Sequence, residues 1–434
     1  MSKNQIINIK VAILAEEPLS WKSGKHFFPI ILNDYSWNTG KIQYRFKAEY
    51  IYDKDIIDGK LDVINFDVFL VPGGGVGDSE VVVKGFKYLG KARKWKKQIR
   101  KFVEEGGGVV GICGGAALLT NLVTGFNSKP KTFLERQYDK SSVEISCVKH
   151  YYKDLAFPLL YPSQKKYPEK IGAAAYVFSF APGQTEDGKR IHSGGVPVDF
   201  TILKDNPIFK DYKGDTIRIR WWGGPGLIIP KVTERDVKIL AYYPEKDLSE
   251  YNSTRIYAWS YVGGLTGLFK GFLEALNKFR DKNEGFTNIL FYSYLLAKPW
   301  KKSNKIIDLN LSNKPAISTE IYPNENKARI LLCTAHPEYM IWWRGFIEEL
   351  DEAKNNCLAN GFRKWKEINP LSKTVRDELT YTWWIVRRFT AWVAKIPDNE
   401  LPPIEKGKIN EKSKELIKQN VFWDGTLINQ IENF

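Results

Sequence analysis

"GGGVVGICGGAALL", residues 106–119, decides how this chain is read. Its first half, Gly108–Ile112, is a short apolar run rich in valine, the pattern of a buried strand. Its second half, Gly114–Leu119, reads as a short apolar helix. Cys113 stands between them, with glycine two residues to either side. That is the small-x-nucleophile-x-small spacing of a nucleophile elbow, where a strained backbone and close-passing chain demand small neighbours. A thiol at a helix N-terminus has its thiolate favoured by the helix dipole and by unused backbone N–H groups. The N–H of Gly114 is placed to donate to an oxyanion. The plain alternative is a tight glycine turn with a small buried cysteine, and the elbow by itself does not choose between the two.

A general base decides the matter. The chain has four histidines, and His336 alone follows directly on an apolar strand-like run, in "ARILLCTAHPE" (328–338). Glu338 lies two residues on, so in an extended strand end the two side chains share a side. Glu338 would then orient the imidazole while the ring faces Cys113, giving nucleophile, base and orienter.

Around these residues strands and helices alternate. "NIKVAILAEE" (8–17), "YRFKAEYIYD" (44–53), "FDVFLVPGGG" (66–75) and "GVVGIC" (108–113) read as strands, and a basic helix ends at "EEGGG" (104–108). Such alternation predicts a doubly wound parallel α/β sheet with its ligands at the carboxyl ends of the strands. Both glycine-rich turns, 73–77 and 111–115, fall at such ends. The region 127–327 is expected to be an irregular, aromatic-rich insertion, in which "DTIRIRWW" (215–222) and "VKILAYYP" (237–244) read as short strands and "GLFKGFLEALNKFR" (267–280) as a helix. Helices at 342–358 and 375–396 are expected to be amphipathic and to pack together, and "DNELPPIEKGK" (398–408) reads as a linker to a polar tail. The expected organisation is therefore a core over 1–126, the insertion over 127–327, a last core strand over 328–341 and a helical extension over 342–434.

Composition narrows the class. Apolar residues make up 43% of 434, enough for a large core, and no apolar run is long enough to span a membrane. The first residues lack the pattern of a signal peptide, and four scattered cysteines without a CxxC pair read as reduced cytoplasmic thiols. The net charge of +15 is concentrated in residues 84–101, which hold nine Lys or Arg and no acid. Apolar residues recur through that stretch at helical spacing, so it reads as a solvated helix face, and no nucleic-acid motif supports a further role.

"FLVPGGG", "GGGVVGICGGAALL" and "AHPE", in that order, resemble the class I glutamine amidotransferase-like superfamily, which is flavodoxin-like in fold. "IRWWGGPGLIIP" (219–230) is similar to the branch related to the N-terminal domain of biotin–protein ligase. The resemblance implies Cys113 as nucleophile, His336 as base, Glu338 as orienter, and backbone amides at Gly74, Gly75 and Gly114 as the oxyanion hole. Glutaminases of the family carry Gln four residues after the cysteine, whereas this chain has Ala117. The expected function is therefore a cysteine hydrolase or amidotransferase-like enzyme, acting on an amide or ester carbonyl through a thioester, rather than a plain glutaminase. The alternative is a non-catalytic module of the same fold that docks a protein or acidic partner.

The expected pocket residues are Glu16 and Glu17 at the end of the first strand, and Trp221, Trp222, Gly223 and Gly224 in the Gly-Gly-Pro segment. "CVKH" (147–150) offers half a metal site without a second half, so neither a metal nor a cofactor is expected. The expected partners are a small-molecule or peptide substrate, and a second copy or another protein through the C-terminal helices.

Overall fold

The computed structural model describes residues 5–15, 27–29, 31–33, 35–73, 92–122, 143–150, 196–221, 224–245, 257–261, 264–279, 300–306, 311–338 and 375–404. In chain order the strands are β1 (Gln5–Leu14), β2 (Ser36–Thr39), β3 (Ile42–Ile51), β4 (Val68–Val71), β5 (Gly108–Ile112), β6 (Asn121–Leu122), β7 (Lys149–His150) and β8 (Val196–Ile202). They continue with β9 (Thr216–Trp221), β10 (Leu227–Ile228), β11 (Asp236–Tyr242), β12 (Tyr257–Tyr261), β13 (Trp300–Ile306), β14 (Pro315–Ile321) and β15 (Arg329–Cys333). The helices are α1 (Asp53–Ile57), α2 (Ala92–Glu104), α3 (Gly114–Leu119), α4 (Gly264–Phe279) and α5 (Val375–Val393).

Ten strands make one sheet in the order β2-β3-β1-β4-β5-β15-β14-β11-β8-β9. From β3 to β15 the neighbours are parallel, and β4 and β5 are buried along their whole length, as continuous apolar runs covered on both faces must be. The fold is α/β, but its sheet is mixed and not purely parallel. From β15 onward every pairing is antiparallel. The region expected to be irregular thus supplies β8, β9, β11 and β14 to the same sheet.

Buried polar residues hide β14 from sequence reading. Ser318, Thr319 and Glu320 are all buried in "PAISTEI". Glu320 is sustained there by the hydroxyl of Ser146, the backbone N–H of Cys147 and an ion pair with Arg235. At the far end β9 curls back, and an antiparallel bridge joins Arg220 to His336 just beyond β15.

The C-terminal helix α5 differs most from expectation. Residues 382–393 are buried on every side, not along one stripe, and α5 packs across β4, β5 and β15. A Cβ at Gly108 would collide with the carbonyl of Val393, so strand and helix backbones touch. Thr382, Arg387, Arg388 and Thr390 of α5 are buried, with Arg387 donating to Ile31 O and Thr390 to Val386 O. Arg388 donates to the carbonyls of Pro207, Ile208 and Pro402 and pairs with Asp211. The segment expected to be a linker packs as well. Leu401 and Pro402 are buried, Pro402 O accepts the indole N–H of Trp384 at 3.0 Å, and Glu400 O accepts that of Trp37 at 2.7 Å. The helix expected at 342–358 lies outside the described residues. In α2, Trp95, Ile99, Phe102 and Val103 are buried while Arg93, Lys94, Lys97 and Lys101 are exposed, which makes its charge a solvated face. No helix among the described residues is long and apolar enough to cross a membrane.

Because α5 is core, Trp384→Ala should lower unfolding stability by about 3–5 kcal/mol, read from the denaturant midpoint. An unchanged midpoint would make α5 a peripheral appendage.

Candidate active site

β4, β5 and β15 end together, and the site lies where they end. Cys113 follows β5 as the N-cap of α3, with φ 50° and ψ −111°. A non-glycine residue at such angles carries strain of roughly 1–3 kcal/mol and persists only where its surroundings enforce it. Here they do. The N–H of Cys113 donates to Cys333 O at 2.7 Å, and its carbonyl accepts from Ala117 N–H at 3.2 Å. Any side chain at Gly115 would strike the carbonyl of Val71, so the first turn of α3 lies directly on the end of β4.

His336 sits three residues past β15 and is 1% exposed. Its backbone N–H donates to Arg220 O at 2.7 Å, and its Nδ1 lies 2.7 Å from Glu338 Oε1. The imidazole also hydrogen-bonds Cys113. A Cβ built at Gly73 would lie 2.5 Å from His336 Cε1 and 2.7 Å from Cys113 Cβ, so those two atoms are no farther apart than the sum of these distances. Burial opposes charge on the ring, but Cys113 and Glu338, through their charges and hydrogen bonds, hold His336 up to about 10. The stability gained from the charged ring is therefore whole below the ordinary 6.5 and is lost as pH rises through about 10. Glu338 is fully buried, its Oε2 has no hydrogen-bond partner among the described residues, and its carbonyl accepts the indole N–H of Trp383 in α5 at 3.3 Å.

The structure thus brings Cys113, His336 and Glu338 together. Gly114 lies beside them at the start of α3, and Ala117 is buried on the same helix. Gly74, Gly75, Glu16, Glu17, Trp222 and Gly223 lie outside the described residues. Trp221 directly follows Arg220, which bridges to His336, and is fully buried, with its indole N–H on Gly224 O and the Tyr243 hydroxyl. It packs the interior and does not form an open pocket wall. A Cβ at Gly224 would strike the carbonyl of Thr334, so this glycine is a packing contact.

Cys147 and His150 face different partners. The Cys147 thiol accepts from the Thr233 hydroxyl, while His150 bonds Thr120 and is driven down to about 3 by burial, hence neutral. Among the described residues no group of three or more His, Cys, Asp or Glu is arranged to hold a metal ion. Among the described residues Cys113, Cys147 and Cys333 lie outside any disulfide, and burial pushes the Cys333 thiol upward. Sequence reasoning did not find Gly73, Tyr243, Thr334 or the Arg220 carbonyl. "PGGG" at least marked a close approach, whereas a lone tyrosine at the end of a strand carries no signal.

No protein-family model matches the chain. It is 28% identical over 90 residues to the PurQ subunit of phosphoribosylformylglycinamidine synthase from Picrophilus torridus. The match covers 20% of this chain and 36% of that subunit, so the chain spans about a third of the relative's length. The likeness supports the class I glutamine amidotransferase-like superfamily and does not extend to the biotin–protein ligase branch.

Cys147 is the more exposed thiol and Cys113 is 4% exposed, so exposure and activation point to different cysteines. Brief iodoacetamide treatment at neutral pH, followed by peptide mapping, should label Cys113 first. Gly73→Ala should slow that labelling by roughly tenfold or more by wedging ring and sulfur apart, leaving Cys147 unchanged. Preferential labelling of Cys147 in the native protein would contradict activation of Cys113.

Proposed function

We propose that this protein is a cysteine hydrolase or amidotransferase-like enzyme acting on an amide or ester carbonyl. The observation that carries the reading is the strained Cys113 in contact with a buried His336 that is itself bonded to Glu338. The sulfur of Cys113, its proton taken by His336, attacks the carbonyl carbon, and the tetrahedral oxyanion is met by the N–H of Gly114 with amides from Gly74 or Gly75. The bond to the leaving amine or alcohol breaks as His336 delivers a proton to it. Water, deprotonated by His336, then attacks the thioester, and the acid leaves as the thiol is restored. Glu338 holds the ring in one orientation and balances its charge throughout.

The parallel strands β3-β1-β4-β5-β15 stand in the chain order second, first, third, fourth, fifth, which supports a flavodoxin-like core with the antiparallel strands as its insertion. The Gly-Gly-Pro sequence at 223–225 supports the branch related to the biotin–protein ligase N-terminal domain. Free thiols fit a cytoplasmic setting. The burial of Cys113 and His336 is the one observation favouring a binding module with an idle thiol.

Three measurements test the proposal. In a panel of activated esters and primary amides, at least one should turn over, and Cys113→Ala should abolish it. With an amide, the rate should fall as pH passes about 10, where His336 loses the proton it gives to the leaving group. Glutamine should be poor, because Ala117 lacks the polar grip of a Gln side chain. Ammonia release from it at about 1 per second or faster would restore the plain glutaminase reading. No turnover with any member of the panel would favour the binding module.

A further inference from the structure

The backbone on both sides of His336 converges on a single hydroxyl. Tyr243 lies just past β11, fully buried, and its Oη accepts the Trp221 indole N–H at 3.0 Å. The same oxygen lies 2.8 Å from Thr334 Oγ1, 3.0 Å from Pro225 O and 3.3 Å from Gly224 O. Trp221 directly follows Arg220, whose carbonyl holds the N–H of His336. Thr334 precedes His336 by two residues, its own N–H bonded to Ala316 O at 3.0 Å. Gly224 packs its Cα against the Thr334 carbonyl. The hydroxyl therefore ties together the chain that bonds His336 from across the bridge, the chain that leads into it, and Gly224–Pro225 ahead of β10. It accepts from Trp221 and has one proton to donate, for which Thr334 Oγ1 and the two carbonyls compete.

Resting on the Cys113–His336 reading, we infer that Tyr243 is a positioning residue, whose hydroxyl fixes the backbone of His336 and so the contact of its ring with Cys113. Tyr243 touches no reacting atom in this account. Its ring packs against Phe200 with centroids 5.2 Å apart, so phenylalanine keeps the packing and removes only the hydroxyl.

Tyr243→Phe and, independently, Thr334→Val are the variants, each checked for fold by circular dichroism. One readout is the rate of Cys113 alkylation at neutral pH. The other is the titration of His336 by NMR in histidine-labelled protein, assigned with His336→Gln. In the native protein His336 should titrate near 10. In either folded variant its midpoint should move toward the ordinary 6.5, and alkylation should slow by roughly 10- to 100-fold. A purely structural role would lower thermal stability and leave both readouts where they were, which overturns the inference. Should Tyr243→Phe fail to fold, Thr334→Val carries the same test. A native His336 that titrates at its ordinary value would instead overturn the pairing with Cys113, an outcome that separates the two failures.

Discussion

Three backbones meet with no room for a side chain between them. At the end of β4, Gly73 leaves less than one methyl group of space against both Cys113 and His336. One turn into α3, Gly115 rests on the Val71 carbonyl, and the N–H of Cys113 is bonded to the last residue of β15. These contacts hold Cys113 at its positive φ of 50°. At the scale of the sheet, the order β4-β5-β15 is what delivers Pro72–Gly73, Cys113 and His336 to one edge. A different neighbour for β5 would leave the cysteine an ordinary buried thiol.

The rest of the molecule stiffens this edge. α5 covers β4, β5 and β15, and its Trp383 bonds the carbonyl of Glu338. The antiparallel strands return through β9 to hold His336 by its own N–H. Both supports come from chain distant from the elbow, so the site is complete only when residues from Gly73 to Trp383 are folded together. Burial of Cys113, His336 and Glu338 makes their mutual charges strong, since little water screens them.

The parallel half of the sheet and the three central side chains were legible in the sequence, for a common reason. β4 and β5 are unbroken apolar runs, and the glycines around Cys113 and the strand before His336 are local signals. In the antiparallel half the runs of β9 and β11 were legible as strands, but β14 was not, because it buries Ser318, Thr319 and Glu320, and only distant partners such as Arg235 and Ser146 make that tolerable. The same limit hid the burial of α5, though not the helix itself. Arg387 and Arg388 look like a polar face until the acceptors for Arg388 appear at Pro207, Ile208, Asp211 and Pro402, and Arg387 is found over the Tyr35 ring. Sequence left pocket lining and core packing open for Trp221 and Trp222, with core packing expected of at least one. The indole hydrogen bonds of Trp221 to Gly224 and Tyr243 place it inside.

The central claim is that Cys113 is a nucleophile, and the species that proves it is covalent. An activated acyl ester mixed with the protein and quenched in acid should leave one acyl group, which peptide mass spectrometry places on Cys113. That adduct should disappear on incubation at neutral pH before quenching, and should accumulate when His336→Gln slows its hydrolysis after the acyl group has been loaded. An acyl group found on Cys147 or on a lysine, or no adduct at any time, would contradict the account.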